Sequence, residues 1–123
     1  MKLPQNREDW HFLEDQPNLT KEEIIKNTKE LLFWIQDSHW GTYEVIISLL
    51  QPLVNDIKED LFEQLKSNDS DWSYAIISGL FLRNENKVDE DIYDFLESIL
   101  PVEETEENNY WIIQKVLELR KRT

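Results

Sequence analysis

An internal repeat constrains the fold more than any other feature of this sequence. Residues 37–40 (Asp-Ser-His-Trp) precede an Ile-Ile-Ser unit at 46–48, and residues 69–72 (Asp-Ser-Asp-Trp) precede a second such unit at 76–78. The two tryptophans lie 32 residues apart, and residues 108–113 form a weaker third copy. A period of about 30 to 40 residues, with two helices in each unit, is typical of stacked helical hairpins.

Apolar side chains recur at steps of three or four residues along most of the chain, as they do on amphipathic helices. No Asn-Gly or Asp-Gly pair marks a β-hairpin. The polar residues Thr20, Asn55, Asp89 and Thr105 precede apolar stripes, and we expect each to cap a helix. The spacing predicts helices at residues 7–13, 20–36, 43–50, 55–65, 72–80, 89–100 and 105–119.

Three segments of the sequence resemble known families. Residues 31–40 (Leu-Leu-Phe-Trp-Ile-Gln-Asp-Ser-His-Trp) resemble the HEAT repeat, in which a Leu-rich helix, an Asp at the turn and a Trp precede a second apolar helix. With the Leu-Pro opening at residues 3–4 and the turn-Trp unit at 68–80, the chain also resembles a small bacterial family catalogued as a domain of unknown function. The resemblance runs to about residue 82. It implies a HEAT-like superhelix, and it transfers no activity and no catalytic residue.

The length of 123 residues suits a single helical-repeat domain over residues 1–123. Short connections make consecutive helices antiparallel neighbours. The expected fold is therefore all-α, a HEAT- or armadillo-like α-α superhelix of about three stacked antiparallel helical hairpins.

Composition excludes several classes of function. The chain has no Cys, which removes thiolate metal sites and Cys nucleophiles, and only two Gly, too few for a phosphate-binding loop. A net charge of −13 repels phosphate, so we expect no nucleic-acid partner. No apolar stretch of signal-peptide or membrane-span length is present, and we expect a cytoplasmic protein without membrane contact.

No group of residues has the spacing of a catalytic or metal site. Acidic loops beginning at Asp69 and Asp89 lack the Gly and Glu of an EF-hand, and Glu8 with His11 is the only Glu-x-x-His pair. No Ser lies in a Gly-flanked nucleophile elbow. We therefore expect no cofactor, no metal and no enzymatic activity.

Aromatic residues at the starts of second helices, together with two acids, are the candidate partner-binding residues. Trp is favoured at the centre of protein interfaces. A purely structural role, in which Trp40 and Trp72 close turns and pack between hairpins, is the alternative. The predicted partner-binding residues are Trp40, Tyr43, Trp72, Tyr74, Trp111, Glu103 and Glu104.

Residues 84–107 form an acidic segment with ten acids and one base, Lys87. Such a segment can be a solvated face that keeps a protein soluble, or a patch that steers a basic partner. The basic residues 120–122 are expected to offset part of this charge.

Three functions remain open on this evidence. The first is a non-enzymatic protein–protein interaction module, in its most specific form a bacterial immunity-type protein that blocks a basic toxin. The second is a structural or oligomeric scaffold subunit, and the third is an uncharacterised hydrolase. For the first we expect a protein partner, with the chain itself a monomer or weak dimer.

Overall fold

Helices form all the regular structure that the computed structural model describes, which covers residues 1–105 and 107–121. Within these residues there is no strand, and the prediction of an all-α fold is confirmed. A 3₁₀ turn at Gln51–Leu53 follows α3, and a π-helical segment at Ile77–Leu82 continues α5. The helices are α1 (Lys21–Lys26), α2 (Thr28–Phe33), α3 (Thr42–Leu50), α4 (Lys58–Leu65), α5 (Ser70–Ile76), α6 (Glu90–Ser98) and α7 (Tyr110–Arg120).

Two predicted helices differ from the structure at the N-terminal end. Residues 7–13 form successive turns, whose amides bond back three residues or fewer, as from Glu14 to His11. The predicted helix at 20–36 is capped by Thr20 as expected, but it divides at Asn27 into α1 and α2. The Asn27 side-chain amide donates to the carbonyl of Glu23 at 2.7 Å, and the Thr28 hydroxyl donates to that of Ile25 at 2.8 Å. These local side-chain bonds compete with the helical ladder.

Two predicted caps also have other roles. Asn55 lies before α4 but does not cap it: its side chain donates to the carbonyl of Lys87 and accepts from the amide of Asp89, at 2.9 and 2.8 Å. Thr105 lies outside α7, which begins at Tyr110 after the left-handed residue Asn109. The Asn55 error arises because a polar side chain near a helix start is bound by residues more than thirty positions along the chain.

The second helices of the first two repeats pack in a fixed register. The Tyr43 hydroxyl on α3 donates to the Ala75 carbonyl on α5 at 2.9 Å, and Gln51 donates to the Gly79 carbonyl at 2.8 Å. The partners lie 32 and 28 residues apart, close to the separation of the repeated tryptophans. The contact made at the start of α3 is to Ala75, and the contact made just after α3 is to Gly79, further along the chain. Because both positions advance in the same direction, α3 and α5 run parallel.

The first helices of successive hairpins keep a similar separation. The rings of Phe62 on α4 and Phe95 on α6 stack with centroids 4.2 Å apart. Lys58 pairs with Asp91, 33 residues on, at 2.9 Å. One hairpin earlier, Lys29 on α2 pairs with Glu63 on α4 at 3.6 Å. Each repeat therefore contacts the next, an arrangement compatible with the predicted stack of hairpins.

The last hairpin is held by Arg120 near the end of α7. Its guanidinium donates to carboxylates at the start, middle and end of α6, on Glu90, Asp94 and Glu97. Arg120 thus offsets part of the acidic segment, as expected of the basic residues 120–122, of which Arg122 lies outside the described residues.

The core is continuous across the hairpins. Both copies of the Ile-Ile pair, at 46–47 and 76–77, are buried, together with Leu31, Leu61 and Leu96. Gly79 lies where α3 approaches most closely: an added Cβ would lie 2.5 Å from the Ile47 Cδ1 and 2.5 Å from the Tyr43 hydroxyl. The following turn is wide, since the Arg83 amide donates five residues back to the Ser78 carbonyl at 3.1 Å.

We expect Gly79→Ala to lower the free energy of unfolding by roughly 1–3 kcal/mol, because the methyl group overpacks the α3–α5 contact. Urea unfolding followed by circular dichroism measures the change. Ser78→Ala, at a half-buried position in the same segment, is the matched control and should be nearly neutral. Equal free energies of unfolding for the two variants would show that α3 and the segment around Gly79 can move apart without loss of stability.

The Glu44–Arg83 pair generates a pH prediction. Hydrogen bonds from the Arg83 guanidinium, at 2.9 and 2.7 Å, lower the pKa of the Glu44 carboxyl. A lowered carboxyl pKa stabilises the fold above the unfolded-state pKa, and this stabilisation is lost as pH falls through the folded-state pKa. The pair is exposed, so we expect less than about 1 kcal/mol.

The measurement is the stability difference between wild type and Glu44→Gln, which cancels the general effect of protonating a highly acidic chain. The difference should be full at neutral pH, begin to decline near the ordinary Glu pKa of about 4.3, and disappear only below the lowered folded-state pKa. In an Arg83→Gln background it should be absent at every pH. A difference that persists unchanged at low pH would contradict the assignment.

Candidate partner-binding surface

The beginnings of α5 and α7 lie side by side. The Asn109 side chain, just before α7, donates to the Ser70 carbonyl at the first residue of α5, at 2.9 Å. The loop that enters α7 is tied down in turn, because the Asn108 side chain donates to the Glu103 carbonyl at 2.8 Å. We call the resulting region, residues 69–74, 101–105 and 107–111, the α5–α7 surface.

Two of the predicted partner-binding aromatics stand exposed on the α5–α7 surface. Trp111 is 51% exposed and Tyr74 is 45% exposed. The Trp111 ring meets the half-buried Tyr110 ring edge to face, with centroids 5.2 Å apart, and this neighbour restricts its orientation. Large aromatic rings that are fixed in place and open to solvent are the side chains that typically anchor protein interfaces.

Trp72 is on the same surface but is mostly used for packing. Its backbone amide donates to the Asp69 carboxylate at 3.0 Å, so the Asp-x-x-Trp motif is the N-terminal cap of α5. The ring is half-buried against the core, and its indole N–H is buried with no partner in the described part of the chain. The structural role considered for this tryptophan therefore accounts for most of its contacts.

The two predicted acidic residues are exposed near Trp111, to which Glu104 is linked through Tyr110. Glu104 accepts a hydrogen bond from the Tyr110 hydroxyl at 3.2 Å, and Glu103 is linked to Asn108 through its carbonyl. Both carboxylates belong to the loop between α6 and α7. The loop thus places negative charge next to Trp111, while Glu106 lies outside the described residues.

Trp40 and Tyr43 lie elsewhere, at the start of α3. Trp40 is half-buried and its ring lies 6.5 Å from that of Trp34. Tyr43 is only 3% exposed, and burial raises the pKa of its hydroxyl. The structure therefore places this predicted partner-binding residue in the core, where α5 covers its ring.

The sequence analysis did not identify two exposed aromatic residues and two turn-forming asparagines. Trp10 is 52% exposed in the N-terminal turns, and Phe33 is exposed at the end of α2. Phe33 could have been found, since it falls off the apolar stripe of its predicted helix. Asn68 and Asn109 adopt left-handed backbone angles, which Asn tolerates better than most residues and which places them in turns. No local signal indicated that these two turns lie together, at a cleft between the loop before α5 and the loop before α7.

The titratable groups serve mainly structural roles. A hydrogen bond from Lys58 lowers the pKa of Asp91, and the backbone amide of His39 lowers that of Asp37. Across residues 1–105 and 107–121, no cluster of three or more His, Asp or Glu side chains is arranged to hold a metal ion. In the same part of the chain, no helix combines the length and the apolar character needed to cross a bilayer.

These features define an all-α chain whose distinctive surface is aromatic and acidic. The chain belongs to the family described as a domain of unknown function (DUF5071), whose model matches residues 2–119. This confirms the resemblance to a family catalogued as a domain of unknown function and extends it through the acidic segment that the resemblance left uncovered. Comparison with curated proteins and with solved structures found no significant match in either case.

We expect Asp69→Ala to destabilise the protein by about 1 kcal/mol, because α5 loses the acceptor for its Trp72 amide. Asp69→Asn keeps that acceptor and should stay within a few tenths of a kcal/mol of wild type. Urea unfolding followed by tryptophan fluorescence compares the two variants. If alanine and asparagine prove equally stable, the cap contributes nothing.

Proposed function

We propose that the protein is a non-enzymatic protein–protein interaction module that binds a partner through its α5–α7 surface. The observation that supports this most directly is the exposure of Trp111 and Tyr74, with Glu104 bonded to the Tyr110 ring that packs against Trp111. Leaving two such rings in water forgoes the free energy of burial that the core aromatics gain, roughly 1.5–3 kcal/mol for a large side chain. A partner that covers them recovers this free energy.

The charge of the chain favours a basic partner. The net charge is −13, and the loop between α6 and α7 is part of the most acidic segment. Such a field raises the association rate with a positively charged protein more than it raises affinity. The most specific form of the proposal is an immunity-type protein that occupies the phosphate-binding face of a basic toxin, with HEAT-like hairpins as its scaffold.

The experiment uses a partner identified by co-purification from the native host and then prepared pure. We expect Trp111→Ala and Tyr74→Ala each to weaken binding at least about tenfold by calorimetry, as interface anchors do. Trp10→Ala is the matched control, since Trp10 is equally exposed but lies in the N-terminal turns. Reversing the charge of Glu103 and Glu104 should slow association and reduce its salt dependence.

Unchanged binding by the Trp111 and Tyr74 variants would exclude this surface as the interface. Light scattering distinguishes the scaffold alternative. A concentration-dependent oligomer that dissociates on Trp111→Ala would show that this surface mediates self-assembly, and the proposal of a separate partner would be rejected. Thermal melting of every variant checks that lost binding is not lost folding.

A further inference from the structure

A cleft of about 640 Å³ opens next to the exposed aromatics, between the loop before α5 and the loop before α7. Its aliphatic lining is supplied by Leu65 of α4, Ile77 just after α5, Ile99 just after α6 and Ile113 of α7. The volume lies in the range of pockets that bind small ligands or single side chains with their flanking backbone, about 300–1,000 Å³. The cleft is therefore large enough for a short peptide segment.

Ser73 provides an unused hydrogen-bonding group in this cleft. It is 9% exposed and lines the cleft, and its hydroxyl has no hydrogen-bond partner among residues 1–105 and 107–121. Its backbone amide is already bonded to the Asp69 carbonyl at 2.9 Å. The Ser73 hydroxyl oxygen keeps contact with solvent, so a ligand group that bonds to it replaces water as its hydrogen-bond partner.

The rim of the cleft offers both polar groups and charge. Asn68 lies on the rim, and its side-chain amide makes no hydrogen bond within the described residues, which leaves a donor and an acceptor for a peptide backbone. Asp69 and Glu107 contribute two carboxylates against the single ammonium of Lys66. The wall residue Pro101 begins the loop that carries Glu103 and Glu104, so the surroundings are negative.

We propose that this cleft binds a short extended peptide segment that carries a Lys or Arg beside an aliphatic side chain. The aliphatic side chain packs on Leu65, Ile77 and Ile113, the basic side chain lies against Asp69 and Glu107, and the peptide backbone bonds to Ser73 and Asn68. This inference rests on the proposed function, because it names the chemistry of the partner segment that enters next to Trp111.

The probe is the capped peptide acetyl-Gly-Lys-Leu-Lys-Gly-amide, titrated to millimolar concentration into ¹⁵N-labelled full-length protein. Two comparison peptides replace either both Lys by Glu or the Leu by Gly. We expect the first peptide to shift the amide signals of Ser73, Asn68 and Asn109, with weaker or no shifts from the other two. Equal shifts from the Glu peptide would overturn the assignment of charge.

Matched variants locate the charge effect. Asp69→Asn combined with Glu107→Gln removes two charges while keeping the α5 cap, and we expect it to raise the peptide Kd at least about threefold. Glu22→Gln combined with Glu30→Gln removes two exposed charges from the first hairpin and should leave the Kd unchanged. Ser73→Ala should weaken binding by a few-fold without changing the pattern of shifted signals. Similar Kd values for the two double variants would show that only net charge matters, which overturns the cleft.

The two proposals can fail separately. Shifts confined to Trp111 and Tyr74, or no shift at millimolar peptide, would overturn peptide binding in the cleft. Neither result would alter the measured effect of Trp111→Ala on binding of the whole partner. Conversely, binding of the peptide in the cleft, with no effect of Trp111→Ala or Tyr74→Ala on the partner, would retain the cleft and reject the α5–α7 aromatics as anchors.

Discussion

The close contact between α3 and α5 at Gly79 is the constraint on which the rest of the structure depends. Without a side chain at this position, Ile47 and the Tyr43 hydroxyl reach the backbone of the neighbouring hairpin, which fixes the register of one repeat on the next. A similar separation of residues then holds along the first helices, where Phe62 stacks on Phe95. The position of α5 fixes where Asp69 and Ser70 meet the start of α7, and so determines the candidate surface.

Much of the fold could be predicted because burial follows helical periodicity. The stripes of α3, α5 and α6 were recognisable, and the repeated Ile-Ile pairs are buried in both copies. The errors lie where short polar side chains decide the backbone. Asn27 divides one predicted helix through a bond to a nearby carbonyl, and Asn55 leaves its expected cap for a loop more than thirty residues away. Local spacing holds no information about that second kind of contact.

The candidate site was predictable in composition but not in geometry. Trp72 and Trp111 occupy related positions in the repeat, yet one is half-buried and the other exposed, because α5 lies between two neighbours while α7 belongs to the last hairpin. Tyr43 is buried for the corresponding reason, since a following hairpin covers it. The cleft depends on Ser73 and on two asparagine turns brought together by tertiary packing, which no spacing rule contains.

The wide turn after α5 links the number of residues in this segment to the side-chain hydrogen bonds around it. The carbonyls that it releases are taken up by Gln51, which bonds to Gly79, and by Asn84, which bonds to Leu80. A π-helical turn holds one residue more than an α-helical turn, so deleting one residue would restore ordinary α-helical geometry and keep later side chains on their present faces. The carbonyls at 79 and 80 would then bond within the helix, and the side chains of Gln51 and Asn84 would lose the acceptors that they use here.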